Sequence, residues 1–160
     1  MSNTKQNSQP WAQQLEELLP LLGHRNWIVV TDMAYPLQTN PGITTLFAPE
    51  GYEQVVETVS SMIRRAPHVF AHVYQDQEQQ NLSEQLAPGW DDYKASVGKA
   101  LADDEVTLVP HEELIVRLDK VSSLCRVVII KTPLTLPYTS TFFELDCGYW
   151  DAEREAAIRR

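Results

Sequence analysis

The sequence predicts a three-layer α/β/α domain with a mostly parallel central sheet, and three features of its 160 residues lead there. Short β-branched runs alternate with stretches whose apolar residues recur every three or four positions, the pattern of strands joined by crossover helices. Val127 to Ile130 is the most apolar of these runs, as a central parallel strand buried on both faces requires. A composition of 43% hydrophobic and 22% charged residues suits one domain of this length, able to bury a core without disulfides or metal. A single domain over residues 10–150 is therefore expected, between a polar, flexible segment 1–9 and a charged tail 151–160.

The first helix opens near Pro10, where a missing amide costs nothing, and carries Trp11, Leu15, Leu18, Leu19 and Leu22 as its apolar stripe. Pro20 shortens it and Gly23 ends it. Trp27 to Thr31 is the first strand. Residues 33–49 contain three prolines and a glycine and read as one long loop, a feature that is usually functional in a compact domain. Pro49 opens a second helix, with Tyr52, Val55, Val56, Val59, Met62 and Ile63 on its buried face and Arg64-Arg65 at the end where cations suit the dipole.

A strand over residues 68–74 follows with period two: Val69, Ala71 and Val73 face one way, His68, Phe70, His72 and Tyr74 the other. His68 and His72 are then about 13 Å apart, too far to hold one ion. Of the two, His72 lies nearer the carboxyl end and is the expected pocket neighbour. The glutamine-rich run 75–85 reads as a loop or exposed edge without chemistry. Trp90, Tyr93, Val97 and Leu101 mark a third helix after Pro88-Gly89, residues 105–109 a short strand, and Leu114, Ile115, Leu118 and Val121 a fourth helix that begins at His111. A strand near 126–131, the loop KTPLTLPY and a last strand from Thr141 to Leu145 complete the sheet.

The 13 Lys and Arg against 22 Asp and Glu give a net charge of -9, with no basic stripe to track a phosphate backbone, so nucleic acid is not an expected partner. No apolar run approaches the eighteen or so residues of a membrane span. The start, MSNTKQNSQP, lacks the apolar stretch of a signal peptide, which makes a cytoplasmic location the expectation. Cys125 and Cys147 then read as reduced, near-core thiols. Glycine-rich phosphate loops, nucleophile elbows and paired-histidine zinc helices are absent from the sequence. What remains is a polar set assigned to the carboxyl edge of the sheet, where ligands bind in open α/β folds: His24, Asp32, His111 and Tyr138, with Ser140 close behind. Two imidazoles, a carboxylate and a phenol are suited to moving protons on a hydroxylated substrate. His24 and Asp32, eight residues apart, share a pocket only if the chain turns between them or a second subunit contributes.

Gly23-His24, the strand Ile28 to Thr31, Asp32 and Pro36 resemble the opening of the D-ribose pyranase and L-fucose mutarotase family, in which a helix leads to Gly-His, a short apolar strand, an aspartate and a proline. His111 in VPHEEL matches the family's histidine before its last central strand. Farther on, Val127 to Ile130, Thr132, Pro137-Tyr138, Ser140, Phe142-Phe143 and Cys147-Gly148 match its C-terminal signature. The resemblance spans residues 12 to 148, with departures at Pro133 for a glycine, at Ser140 for an asparagine, and in the aromatic end FFELDCGYW.

The resemblance implies a cytoplasmic enzyme that interconverts cyclic forms of an unphosphorylated monosaccharide such as ribose or fucose. Such exchange opens and recloses a hemiacetal without cofactor or metal. It assigns His24 as leading acid/base, Asp32 as its orienting partner or a hydroxyl acceptor, and His111 as a second proton carrier. Tyr138, Ser140, Thr132 and Tyr35 become sugar contacts. It also implies a homo-oligomer, commonly a decameric ring with pockets near subunit contacts, in which Trp11, Trp90 and Trp150 suit interfaces. Two alternatives stay open on the same residues: a non-catalytic monosaccharide-binding module, and an isomerase acting on the open-chain sugar.

Overall fold

The computed structural model describes residues 10–159; the segment 1–9, expected to be flexible, lies outside the described residues. The strands are β1 (Trp27–Thr31), β2 (Ile43–Phe47), β3 (Val69–Asp76), β4 (Val106–Val109), β5 (Val127–Lys131) and β6 (Thr141–Cys147). The helices are α1 (Pro10–Leu18), α2 (Tyr52–Arg65), α3 (Trp90–Ala100), α4 (His111–Val121) and α5 (Ala152–Ile158). The strands form one sheet in the order β2-β5-β1-β6-β3-β4. Neighbours β2 and β5, β5 and β1, and β3 and β4 are parallel, while β6 runs antiparallel to both β1 and β3. Phe142 of β6 stands opposite Val29 on one side and Tyr74 on the other.

Side-chain alternation sorts the core into two layers. Ile28, Val30, Val128, Ile130, Val73, Phe143 and Leu145 face α1, α2 and α3. Trp27, Val29, Val127, Ile129 and Phe142 face α4, which buries Leu114 and Leu118 against them. This is the three-layer α/β/α arrangement, with β1 and β5 buried on both faces as their unbroken apolar sequence demands. The short helix α5 carries no buried residue and lies on the surface.

Four sequence expectations need correction. The loop 33–49 contains the edge strand β2, whose segment ITTLF, with β-branched Ile43, Thr44 and Thr45, was obscured by the prolines around it. Gly42, just before it, is required: a Cβ there would stand 1.9 Å from the carbonyl oxygen of Ser122. Helix α2 starts at Tyr52 behind Gly51 rather than at Pro49. β3 runs on to Asp76 before a 3-10 turn (Gln77–Asn81), so part of the glutamine-rich stretch is buried sheet. Trp11 and Trp90 are core residues, 2% and 3% exposed, and only Trp150 of the three is open to a partner. His68 is structural: its Nε2 lies 3.1 and 3.0 Å from the carbonyls of Leu19 and Leu22 and ties down the turn after α1.

The segment entering β6 is fastened from below. The Tyr52 hydroxyl sits against the carbonyls of Val30 and Thr139 and 2.8 Å from Thr141 Oγ1. Tyr93 donates to the same Thr139 carbonyl at 3.2 Å, and Gln75 Nε2 donates to Thr141 Oγ1 at 3.0 Å. Burial raises both phenols above the ordinary tyrosine range, so they stay neutral donors. Tyr52→Phe removes a donor from this buried group and should cost about 1–3 kcal/mol. Urea unfolding should give a lower midpoint with an unchanged slope; an unchanged midpoint would mean the hydroxyl does not fasten the segment.

Candidate active site

β1 and β3 end side by side across the start of β6, and the chain leaves them in opposite directions, toward β2 at one edge and β4 at the other. Such a parting of loops above carboxyl ends is where open α/β sheets form crevices. Here the crevice is a cleft of about 550 Å³. Asp32 follows β1, Asp76 ends β3, His111 opens α4 directly behind β4, and Tyr138 and Ser140 arrive on the loop that enters β6. Tyr35, Gln38 and Glu112 complete its polar wall, and among the described residues no lysine or arginine lines it.

His111 is held at three points. Its Nδ1 lies 3.0 Å from Asp76 Oδ1, and because a carboxylate can only accept, Nδ1 carries the proton and Nε2 is left for the cleft. Its backbone N–H donates to Glu78 Oε1 at 3.0 Å, capping the start of α4. Its ring meets Tyr138 edge-on, with centroids 5.8 Å apart. Asp76 is fully buried. Burial raises its pKa, the His111 contact works against that, and Glu78 and Asp32 add to the rise. Its second oxygen, Oδ2, has no hydrogen-bond partner. Among the described residues the other buried side-chain oxygen without one is Gln38 Oε1, and both residues line this cleft.

Tyr138 has a φ of 56°, a left-handed backbone that costs a non-glycine residue about 1–2 kcal/mol. The hydrogen bonds to the next residue's carbonyl, from Tyr52 and Tyr93, hold it there. Ser140 Oγ lies 2.7 Å from Thr31 Oγ1, which in turn donates to Asp32 Oδ1 at 3.2 Å. Ser140 therefore donates into a chain that orients Asp32 and keeps its lone pairs for a ligand. Tyr35 is buried at the cleft wall, and burial, with Asp119 and Asp76 contributing, pushes its phenol to about 12, so it is a neutral donor.

Five of the seven residues proposed from sequence thus share the cleft: Asp32, Tyr35, His111, Tyr138 and Ser140. Thr132 does not. It is fully buried, and its hydroxyl donates to the Thr31 carbonyl at 2.8 Å, pinning the turn out of β5. His24 does not either, because it precedes β1 whereas Asp32 follows it, and a five-residue strand spans roughly 17 Å. At the amino edge its Nδ1 lies 2.9 Å from Asp146 Oδ1, while His72 Nε2 lies 3.0 Å from Asp146 Oδ2. Asp32 is therefore not the partner of His24 within one chain. His72 belongs to that amino-edge recess and not to the cleft. Hydrogen bonds from His72, from the Cys147 N–H and from His24 hold the Asp146 carboxyl below the usual range. Among the described residues no three His, Cys, Asp or Glu side chains are grouped to hold a metal ion.

Sequence reading missed Asp76, Asp146 and Gln38. Asp76 was findable: continuing the period-two face of β3 through His72 and Tyr74 lands on it at the strand's carboxyl end, as Asp32 stands beyond β1. The surrounding glutamines concealed it.

No curated protein sequence matches this chain. Among solved structures it is similar to RbsD of Bacillus subtilis complexed with D-ribose, at 18% identity and a TM-score of 0.56 over 83% of this chain and 91% of that one. The fucose mutarotase of Streptococcus pneumoniae in complex with L-fucose is also similar, at 12% identity and a TM-score of 0.53 over 83% and 91% of the two chains. FucU from Bifidobacterium longum gives 11% and 0.54 over 86% and 97%. Identities this low establish the fold alone. The profile of the RbsD / FucU transport protein family, however, matches residues 5–144, nearly the whole domain. The chain belongs to the RbsD / FucU transport protein family.

Proposed function

We propose that this protein is a cytoplasmic sugar mutarotase or pyranase, interconverting anomers or pyranose and furanose forms of an unphosphorylated monosaccharide. The observation that carries this reading is the convergence of Asp32, Tyr138, Ser140 and the Asp76-bound imidazole of His111 in one cleft that, among the described residues, no lysine or arginine lines. A neutral polyol finds acceptors and donors there. A phosphate would meet Asp32, Asp76 and Glu112 with no lysine or arginine among the described residues to offset them. Similar structures of this fold hold D-ribose and L-fucose.

Opening a hemiacetal needs one group to take the anomeric proton and another to protonate the ring oxygen, with the roles reversed on closure. His111 supplies one imidazole, presenting Nε2. Asp32, oriented by Thr31, accepts a sugar hydroxyl, and the Tyr138 ring packs on the apolar face of the sugar. The second imidazole is His24, supplied by a neighbouring copy in a ring-type homo-oligomer whose amino-edge recess meets the cleft. His24 is exposed and its Nε2 is not tied to Asp146, so it has the freedom that such a role needs.

Saturation-transfer NMR with ribose, fucose, galactose, glucose and arabinose should show accelerated exchange for at least one sugar. Calorimetric binding without any acceleration would favour the non-catalytic module, with Ser140 in place of the family's asparagine as the first cause to examine.

His24→Ala and His111→Ala should each lower exchange about 10²–10⁴-fold, the usual worth of a positioned acid/base group. Co-assembled from mixed, unfolded subunits, the two variants should regain part of the activity, because some interfaces pair an intact His24 with an intact His111. Failure to regain any, from variants that assemble normally, would place both histidines in the same chain's chemistry or remove His24 from it.

A further inference from the structure

We propose that Asp76 is a sugar-contacting residue of this cleft, with Oδ1 orienting His111 and Oδ2 accepting a hydroxyl of the ligand. The proposal rests on the reading above that the cleft takes a monosaccharide. Buried side-chain oxygens nearly always have a partner, and one that lacks it calls for an explanation, which a ligand at a cleft wall supplies. Asp76 is 0% exposed, its Oδ1 is fixed on His111, and its Oδ2 is unpartnered at a cleft wall. Gln38 Oε1, also buried and unpartnered, lines the same cleft, so two acceptors there await donors.

The surroundings define the donor's chemistry. Asp32 beyond β1, Glu78 after β3, Glu112 on α4, Tyr35 from the loop after β1, Tyr93 from α3 and Tyr138 from the loop before β6 are the titratable groups around Asp76 and His111. Apart from His111, none can carry a positive charge. Oδ2 therefore calls for a donor that brings no negative charge, and a hydroxyl of a neutral sugar meets that requirement where a phosphate or carboxylate does not. The contact also joins binding to proton transfer. A hydroxyl on Oδ2 draws charge from the carboxylate that stabilises the His111 imidazolium.

The test is a cycle between Asp76→Asn, which keeps the side chain's shape, and a series of singly deoxygenated forms of the sugar that binds best. Asp76→Asn should weaken binding of the parent sugar about tenfold to a hundredfold, the usual range for a hydrogen bond to a charged group. One deoxy analogue should lose a similar factor on the unaltered protein and lose little more on the variant. Losses that multiply for every analogue would overturn the contact.

In the same variant the His111 ring, followed by nitrogen NMR, should lose its fixed Nδ1-protonated tautomer, because its carboxylate partner is gone. An unchanged tautomer would overturn the orienting role.

If Asp76→Asn does not fold, the Asp76 carboxyl resonance of the unaltered protein decides. It should move on adding the parent sugar and stay still on adding the matched deoxy analogue; movement with both would overturn the contact. If no sugar in the panel binds, the monosaccharide reading fails and the contact fails with it. Binding with multiplying losses leaves that reading standing and removes Asp76 alone.

Discussion

The antiparallel insertion of β6 between β1 and β3 is the constraint on which the other features depend. β1 and β3 do not pair with each other; each pairs with β6, which is closed to solvent over Thr141, Phe142, Phe143 and Leu145. Because β6 runs against its neighbours, its first residues reach their carboxyl ends and its last residues reach their amino ends. The first end brings Tyr138 and Ser140 to Asp32 and Asp76. The second end brings Asp146 between His24 and His72. One strand direction thus creates two polar sites on opposite edges of one sheet. In a sheet where β1 and β3 were adjacent, the cleft would lose its floor and His24 its carboxylate partner together.

Holding that arrangement has a cost that the buried tyrosines offset. The left-handed backbone of Tyr138 opposes folding, and a carbonyl such as that of Thr139 would be expensive to bury unpaired. Tyr52 and Tyr93 both meet it, and neither reaches the cleft, since they rise from α2 and α3 beneath the sheet. The loop is therefore fixed from the core side, and its outer face is left free to contact a ligand. Strained residues persist where the surrounding structure over-determines them, and such positions cluster at functional sites. Tyr138, half exposed over His111, is placed in that way.

The fold was largely legible because its signals are local. Apolar runs and helical stripes marked all but one of the strands and the four packed helices, and Pro110 and Gly23 marked boundaries. β2 escaped because it is a half-buried edge strand among prolines, where composition outweighed five β-favouring residues. The place of a residue at the cleft was legible where a strand end set it, as for Asp32 and His111. Thr132 was misread because a hydroxyl's direction depends on the turn after β5, which carries no sequence period. His24 was assigned to the carboxyl edge although it precedes β1, and the length of that strand alone puts it at the amino edge, away from Asp32. Asp146 stayed hidden because its meaning comes from a long-range pairing, with two histidines contributed by β3 and by the connection before β1.

The two edges also share a chemical logic. His111 and His24 are each bound at Nδ1 by a carboxylate, Asp76 in one case and Asp146 in the other, so each imidazole has Nε2 as its outward nitrogen. Their carboxylates lie in opposite environments. Asp76 is sealed from water and raised by burial, whereas Asp146 is partly open and lowered by the donors around it. A desolvated carboxylate interacts more strongly with its imidazole than a hydrated one, so His111 is oriented more firmly than His24. On the proposed reading, reversible ring opening uses one group that gives a proton and one that takes it, and then exchanges their roles. Two imidazoles presented through the same nitrogen would let either serve in both directions.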